Sequence, residues 1–193
     1  MAQIQYTSAN PSVLFDLAVD LKDCILNAMA REGVELPERA CVVTGDIAWD
    51  DCECGQLVVN LVDTFLTDSF PDQGIGSDTG TGGLGRQCAG HLLAATINVS
   101  MLRCSPGGGN NPHPPTCAEL QEAARVSVVD AALILTSMSC CLSEWSTRTD
   151  GVKRVTDYSI DVQTFVGAQG MCQGSETNVQ LAVLNTCLDC GGS

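Results

Sequence analysis

The sequence has little positive charge. Nine Lys and Arg residues stand against 23 Asp and Glu residues, which gives a formal net charge of −14 at pH 7. Proteins that bind nucleic acids neutralise phosphates with Lys and Arg and release condensed counterions, so their binding surfaces are basic. The charge balance therefore nearly excludes a reader of DNA or RNA.

The sequence also lacks a long hydrophobic run. A helix needs about 20 consecutive apolar residues to cross a bilayer, and no stretch of the sequence approaches that length. Residues 1–10, MAQIQYTSAN, contain neither a basic nor an apolar segment. We therefore expect no export signal and no membrane helix, and we expect synthesis and folding in a cytoplasm.

Histidine is scarce, which limits the catalytic arrangements available. The two histidines are His91, near the start of a regular segment, and His113, which lies among prolines. A cysteine or serine nucleophile needs a base within hydrogen-bond reach, and the only such proximity along the sequence is that of Cys88 to His91. A small cysteine hydrolase is the alternative that this proximity leaves open. We predict that the protein is not an enzyme.

Two motif-like patterns lack the context that their ligands require. Gly80–Gly85 matches G-x-G-x-x-G, but it lies within a run of turn residues and not between a strand and a helix. The acidic segment 46–53 resembles a calcium loop, yet the glycine and the final glutamate of such a loop are misplaced. This segment is predicted to be a solvated acidic turn with Trp49 as its one large contact residue. We predict no cofactor.

Twelve cysteines are many for a chain of this length. A chain of 193 residues can bury a core without disulfides, so we interpret most thiols as small buried hydrophobes in a reducing compartment. Oxidation after release from a cell is the alternative. Cys187 and Cys190 have zinc-like spacing, and Cys52 and Cys54 place two thiolates close together, but the sequence lacks the paired knuckles of a structural zinc site. A cysteine-rich metal-binding module is therefore the alternative from another class.

The sequence does contain enough apolar material for a core. Hydrophobic residues make up 45% of the 193 residues and charged residues 17%, which is typical of a folded chain. The length corresponds to one domain at about 150 residues per domain. We predict a single domain over 1–193, with long loops at about 70–86 and 105–115 and a loose tail at 185–193.

The first helical pattern begins after Asn10-Pro11. Asn is a good N-cap and Pro suits the first helical position. Apolar residues then recur at three- and four-residue spacing from Leu14 to Ala28, and Gly33 is a natural stop. This pattern predicts an amphipathic helix over 11–32.

The second helical pattern begins after the Gly/Pro-rich loop. Thr116 and Glu119 have capping-box spacing. The apolar stripe that follows predicts a helix over 116–142 that is apolar on more than one face. A helix of this kind packs both on a sheet and on a neighbouring element or subunit.

The remaining regular segments are rich in β-branched residues. They lie at 41–44, 56–68, 88–104, 158–167 and 176–184, and the last two predict a hairpin with a turn over 168–175. In 88–104, alternation places Ile97, Val99 and Met101 on one face and Thr96, Asn98, Ser100 and Leu102 on the other; a helical start is the alternative. The order predicts an α+β fold with an antiparallel or mixed sheet of about four to five strands and two main helices packed on it.

Three segments together resemble a known family. They are GDIAWDDCECGQLVVNLV at 45–62, CAGHLLAATINVSMLRC at 88–104 with the later Val129-Asp130-Ala131-Ala132, and TFVGAQGMCQGSETNVQLAV at 164–183. These segments resemble neck proteins of long-tailed phages that infect actinobacteria, and the most similar type is the tail terminator. The resemblance spans most of the chain.

The resemblance implies a structural virion protein of the neck. It implies a hexameric ring that caps the tail tube, ends polymerisation of the major tail tube protein and joins the tail to the head-side stopper or connector. Phage DNA would pass through the lumen without specific binding, which agrees with an acidic chain. A head-completion, stopper or adaptor ring of the neck is the alternative within the same class. The helix 116–142 and the hairpin edge 158–184 are the candidate ring contacts.

The candidate site residues follow from this reading. The candidate interface residues lie in the acidic turn, the glycine-rich loop and the hairpin: Asp46, Trp49, Asp50, Asp51, Gly74, Gly76, Asp78, Gly167, Gln169, Gly170 and Gly174. The candidate disulfide or thiol cluster consists of Cys52, Cys54, Cys88, Cys104 and Cys172. No catalytic residue, cofactor ligand or metal ligand is predicted.

Overall fold

The computed structural model describes residues 12–45, 55–74, 92–107, 113–147, 154–169 and 172–184. The elements in chain order are α1 (Val13–Arg31), β1 (Arg39–Thr44), β2 (Gln56–Thr67), β3 (Leu92–Cys104), α2 (Cys117–Thr147), β4 (Asp157–Ile160), β5 (Thr164–Gln169) and β6 (Cys172–Leu184). The predicted α+β single-domain fold is confirmed.

The sheet is mixed and its strands are ordered β1-β2-β3-β6-β4. β1 pairs with β2 in parallel, and every other pairing is antiparallel. β4 and β5 share one edge because they pair with different parts of β6. The sheet therefore has six strands, one more than the upper end of the prediction.

The extra strand arises where 158–167 was expected to be continuous. The chain leaves the edge of the sheet at Asp161–Gln163, and Asp161 is held there by its N–H, which donates to the Asn178 carbonyl (2.9 Å). The Thr177 hydroxyl donates to the Asp161 carbonyl (3.1 Å). The turn predicted over 168–175 was wrong: β6 already begins at Cys172, because glycine and small polar residues here continue the ladder with β3.

α1 forms as its apolar spacing predicts. Leu17, Leu21 and Ile25 are fully buried along one stripe, and the Ser12 hydroxyl donates to Asp16 in the first turn (2.7 Å). The helix ends before Gly33, whose φ of +68° suits a residue without a side chain. The predicted span 11–32 is close to the observed one, but the helix begins two residues later, with Ser12 and not Asn10 at the N-cap position.

Both helices pack on one face of the sheet. The alternation predicted in β3 is confirmed, since its odd-numbered residues Ile97, Val99 and Met101 join the core with neighbours on β2, β6 and both helices. The strand begins at Leu92, so the described part of 88–104 has no helical start.

α2 begins with the predicted capping box. The Glu119 carboxylate accepts hydrogen bonds from the Thr116 N–H (2.7 Å) and hydroxyl (2.8 Å), and the Glu119 N–H donates to the same hydroxyl (3.3 Å). The helix runs to Thr147, beyond the predicted end at 142, because Trp145 adds a further buried contact.

Length and composition alone would let α2 cross a membrane. Its most apolar 18-residue window has a mean hydropathy of 1.8, and 39% of that window is buried in the fold. This window is not a continuous apolar run, because Ser, Thr and Asp130 interrupt it. The core helix of a soluble protein meets the same criterion, so this is weak evidence for a membrane span.

Candidate functional site

The two long loops leave the sheet at opposite ends. β2 ends at Thr67, which pairs with Leu92 at the start of β3, and the β2–β3 loop begins there. β3 ends at Cys104, about 40 Å away at 3.3 Å per residue, and the loop to α2 begins at that end. Partners that contact these two loops would therefore lie on opposite sides of the subunit.

The first turn of the β2–β3 loop is well defined. The Thr67 hydroxyl donates to the Asp72 carbonyl (2.6 Å) and accepts from the Ser69 N–H (3.1 Å). Gly74 then bridges back to Thr67 with a φ of +112°, where a side chain would be strained. The candidate interface residue Gly74 thus lies on a folded turn at the end of the sheet.

The first two turns of α2 are largely exposed. All residues from 117 to 125 are exposed except Ala123, which is half-buried. Leu120, Ala124 and Val128, at four-residue spacing, form a stripe on the exposed face, and Leu120 and Val128 are 48% and 54% exposed. We call these three residues the α2 stripe.

A second exposed apolar surface lies on the β4–β5 edge. Val162, between the two strands, is 84% exposed, and Phe165 on β5 is 60% exposed. We call these two residues the β5 edge patch. These are the two most exposed large hydrophobic side chains of the described residues, and both lie on the edge of the sheet.

Three other candidate interface residues belong to the same β5–β6 hairpin. Gln169 pairs with Cys172, and Gly174 pairs with Val166 on one side and Leu102 on the other. A Cβ at Gly174 would collide with the Met101 carbonyl, so this glycine lets two strands approach each other closely. A Cβ at Gly167 would meet nothing within 4 Å. Gly174 is therefore a packing position, and Gly167 is open to a partner.

The structure does not bring all of the predicted interface residues together. Gly74 lies at the Thr67 end of the sheet, whereas Gly167, Gln169 and Gly174 lie toward the Cys104 end. The remaining candidate interface residues are outside the described residues: Asp46, Trp49, Asp50, Asp51, Gly76, Asp78 and Gly170.

The cysteines differ from the prediction of buried thiols. Cys41, Cys104, Cys117 and Cys140 are exposed, and a disulfide joins Cys24 of α1 to Cys141 of α2 with their Cα atoms 6.7 Å apart. The pairing brings together residues 117 positions apart, so local spacing gave no sign of it. Within the predicted thiol cluster, Cys172 is also disulfide-bonded; Cys52, Cys54 and Cys88 are outside the described residues.

A buried ion pair links the end of β3 to α2. Arg103 donates to both carboxylate oxygens of Asp130 (2.8 and 3.2 Å) and to the Glu35 carbonyl (2.6 Å). Both side chains are almost fully buried. This pair was not predicted from the sequence. The available signal was Asp130 itself, a single acidic residue in the most apolar part of α2.

Most positive charge in the described structure is already neutralised. Besides Arg103, four cationic side chains contact carboxylates: Lys22, Arg31, Arg125 and Arg154. Each of these cations is paired with a carboxylate, and the many remaining carboxylates keep the protein strongly negative. A surface of this kind repels a polyanion.

The sheet face opposite the helices carries a row of amides. Asn60, Asn98 and Asn178 are aligned across β2, β3 and β6, and Asn98 donates to the Asn178 side chain (2.9 Å) and accepts from Ser100 (2.6 Å). The Asn60 side-chain oxygen is buried without a partner. The row of side-chain amides is therefore polar but uncharged.

Among the described residues, no group of three or more His, Cys, Asp and Glu side chains is placed to hold a metal ion. The sequence matches no protein-family model, and a search of curated proteins gives no match. What the described structure defines is a class: an α+β subunit with loops at opposite ends of its sheet and with exposed apolar side chains that include those of the α2 stripe and the β5 edge patch.

Proposed function

We propose that this protein is a non-enzymatic structural subunit of the phage neck, a tail terminator that forms a ring on the end of the tail tube. The ring stops addition of further tube subunits and offers its other side to the head-side connector. It assembles in the host cytoplasm and remains in the virion. Phage DNA passes through its centre without specific binding.

The pair of exposed apolar surfaces carries this proposal. A closed ring needs a heterologous interface, in which one surface of a subunit meets a different surface of the next copy. The α2 stripe and the β5 edge patch lie on different elements, and both fall within segments that sequence analysis selected as ring contacts. Burial of Leu120, Val128 and Phe165 against a neighbour would contribute about 1 kcal/mol per side chain, because each is already about half-buried in the subunit.

Two further features support the proposal. The loops at opposite ends of the sheet suit a subunit that contacts the tube on one side and the connector on the other. The acidic surface, with most described cations paired to carboxylates, suits a lumen through which a polyanion must slide.

The test measures assembly and tube length. Purified protein, analysed by light scattering and negative-stain microscopy, is mixed with polymerising major tail tube protein. We expect rings on tube ends and a shorter tube-length distribution that depends on the amount of added protein. An unchanged length distribution with no ring on any tube end would refute the proposal.

Variants assign the ring interface. Leu120→Asp with Val128→Asp should abolish rings and restore long tubes, because it places charges in a contact that excludes water. Phe15→Asp is the matched control, since Phe15 is a helical residue with the same 48% exposure on α1. Binding to a portal-side protein in place of the tube protein would favour the stopper or adaptor ring.

A further inference from the structure

Three cysteines line one groove between α1 and α2. The groove has a volume of about 510 Å³, and its lining includes the disulfide-bonded Cys24 and Cys141 and the exposed thiol of Cys140. A thiol and a disulfide that share one groove are the two reactants of thiol–disulfide exchange.

The position of Cys24 places its sulfur near both α2 cysteines. Its Sγ lies 3.6 Å from the Ser137 carbonyl oxygen. On a helix, residues three and four positions after Ser137 are its neighbours on the same surface, and these residues are Cys140 and Cys141. Cys24 therefore contacts the turn of α2 from which both side chains extend into the groove.

We propose that Cys24, Cys140 and Cys141 form a thiol–disulfide exchange site, in which the link from α1 to α2 moves between two neighbouring cysteines. The Cys140 thiolate attacks Sγ of Cys24, a Cys24–Cys140 bond forms, and the Cys24–Cys141 bond breaks. Cys141 leaves as the thiolate, which takes up the proton that Cys140 lost. The attacking thiolate supplies the electron pair of the new bond and Cys141 leaves with the pair of the old one, so one disulfide and one thiol remain and the step requires no oxidant or reductant.

The exchange changes which thiol is accessible. Cys140 is exposed, whereas Cys141 is half-buried. The Cys24–Cys141 link therefore leaves an accessible thiol on the surface of α2, and the Cys24–Cys140 link leaves a less accessible one. The site would control the reactivity of this surface toward external thiols and alkylating agents while it keeps the two helices joined.

Peptide mapping of the intact protein tests the exchange. The disulfide form is held at pH 8 without added thiol, treated with N-ethylmaleimide and digested with trypsin, which releases Cys24 in peptide 23–31 and both α2 cysteines in peptide 126–148. Fragmentation between Cys140 and Cys141 then locates the single maleimide in the linked peptide pair. We expect a share of the linked pairs to carry the maleimide on Cys141, and that share to fall to background in Cys140→Ser.

A second variant tests whether Cys24 can bond to Cys140 even if the wild type holds almost all of its protein in the Cys24–Cys141 form. Cys141→Ser, oxidised with glutathione disulfide, should still link Cys24 to Cys140, whereas the double variant Cys140→Ser with Cys141→Ser should not link Cys24 to peptide 126–148. Cys117→Ser is the control outside the groove and should behave as the wild type. A maleimide found only on Cys140 in the wild type, together with no Cys24–Cys140 link in a folded Cys141→Ser variant, would overturn the proposal.

Discussion

Individual residues in this protein are constrained mainly by contacts between distant parts of the chain. The clearest case is the Arg103–Asp130 pair, which is bidentate and nearly inaccessible to water. A buried ion pair contributes little relative to an apolar replacement, but the loss of one partner leaves the other charge buried without compensation.

We predict that Asp130→Ala lowers the free energy of unfolding by about 3–5 kcal/mol. The reason is that the Arg103 guanidinium would retain only the Glu35 carbonyl as its described partner. Urea denaturation followed by circular dichroism measures the change. The control is Asp20→Ala, which removes a half-exposed partner of Arg154 and should cost at most about 1 kcal/mol. Equal losses in the two variants would contradict the argument.

Glycines of the β5–β6 hairpin provide a second residue-scale prediction. Gly174→Ala should destabilise the protein by about 1–3 kcal/mol, because a Cβ there collides with the Met101 carbonyl and forces β3 and β6 apart. Gly167→Ala meets open space and should change stability by less than about 0.5 kcal/mol. Thermal unfolding of the two variants compares them, and an unchanged melting temperature in Gly174→Ala would show that the strands accommodate the methyl group.

The sequence pattern marks the hairpin glycines as special positions but does not show that they have different roles. Gly167 and Gly174 are equally conspicuous in the hairpin pattern, and only the register of β6 with β3 shows that one of them faces a carbonyl. Asp130 was visible as a charged residue in an apolar helix, but its partner on β3 lies 27 positions away. Local pattern thus marks special residues, and tertiary pairing determines what they do.

At the scale of elements, sequence patterns predicted a helix or strand well where the apolar positions of the pattern are the buried positions of the fold. α1 has both an apolar stripe and a glycine stop, and β3 alternates between apolar and polar residues from Thr96 to Met101, so both were predicted well. The β4–β5 segment was predicted as one strand because its composition is continuous. Its division depends on the hydrogen bonds that Asp161 makes with β6, which no local pattern reveals.

The capping box of α2 gives a prediction about pH. Hydrogen bonds from Thr116, first from its N–H and then from its hydroxyl, lower the pKa of Glu119 below its ordinary value of 4.5. Because the folded pKa is the lower one, the contribution to stability is complete above the unfolded pKa and is lost as the pH falls through the folded pKa. Amide exchange at 119–121, where the first protected amides of α2 lie, should therefore accelerate, relative to the intrinsic rate, only below about pH 4.5.

Thr116→Ala tests the same cap at neutral pH. Loss of the hydroxyl should make exchange in the first turn of α2 roughly fivefold faster, the usual effect of removing an N-cap. Ser143→Ala, later in the same helix, is the control and should leave the first turn unchanged. If exchange in the first turn is equally fast in the wild type and in Thr116→Ala, the box does not hold the helix start.

At the scale of the whole molecule, assembly and covalent linkage are the features that the sequence predicts least. The sequence identified helix 116–142 as too apolar for one packed face, and the α2 stripe lies on its exposed side. It gave no indication that the two helices are joined, because Cys24 and Cys141 come together only when both helices lie side by side on the sheet. Pairing among twelve cysteines depends on the fold and not on their spacing.

The α1–α2 disulfide closes a loop between residues 117 positions apart, and a closed loop of this size reduces the entropy of the unfolded chain substantially. We predict that Cys24→Ser lowers the free energy of unfolding by about 2–5 kcal/mol. Cys24 is the informative position because its loss removes the link to either α2 cysteine. Urea denaturation without reductant should place the midpoint of Cys24→Ser below that of the oxidised wild type, whereas exposed Cys117→Ser should match the oxidised wild type. Reductant is left out because it would also break the disulfide of Cys172. Coincident midpoints for Cys24→Ser and the oxidised wild type would mean that helix packing alone holds α1 against α2.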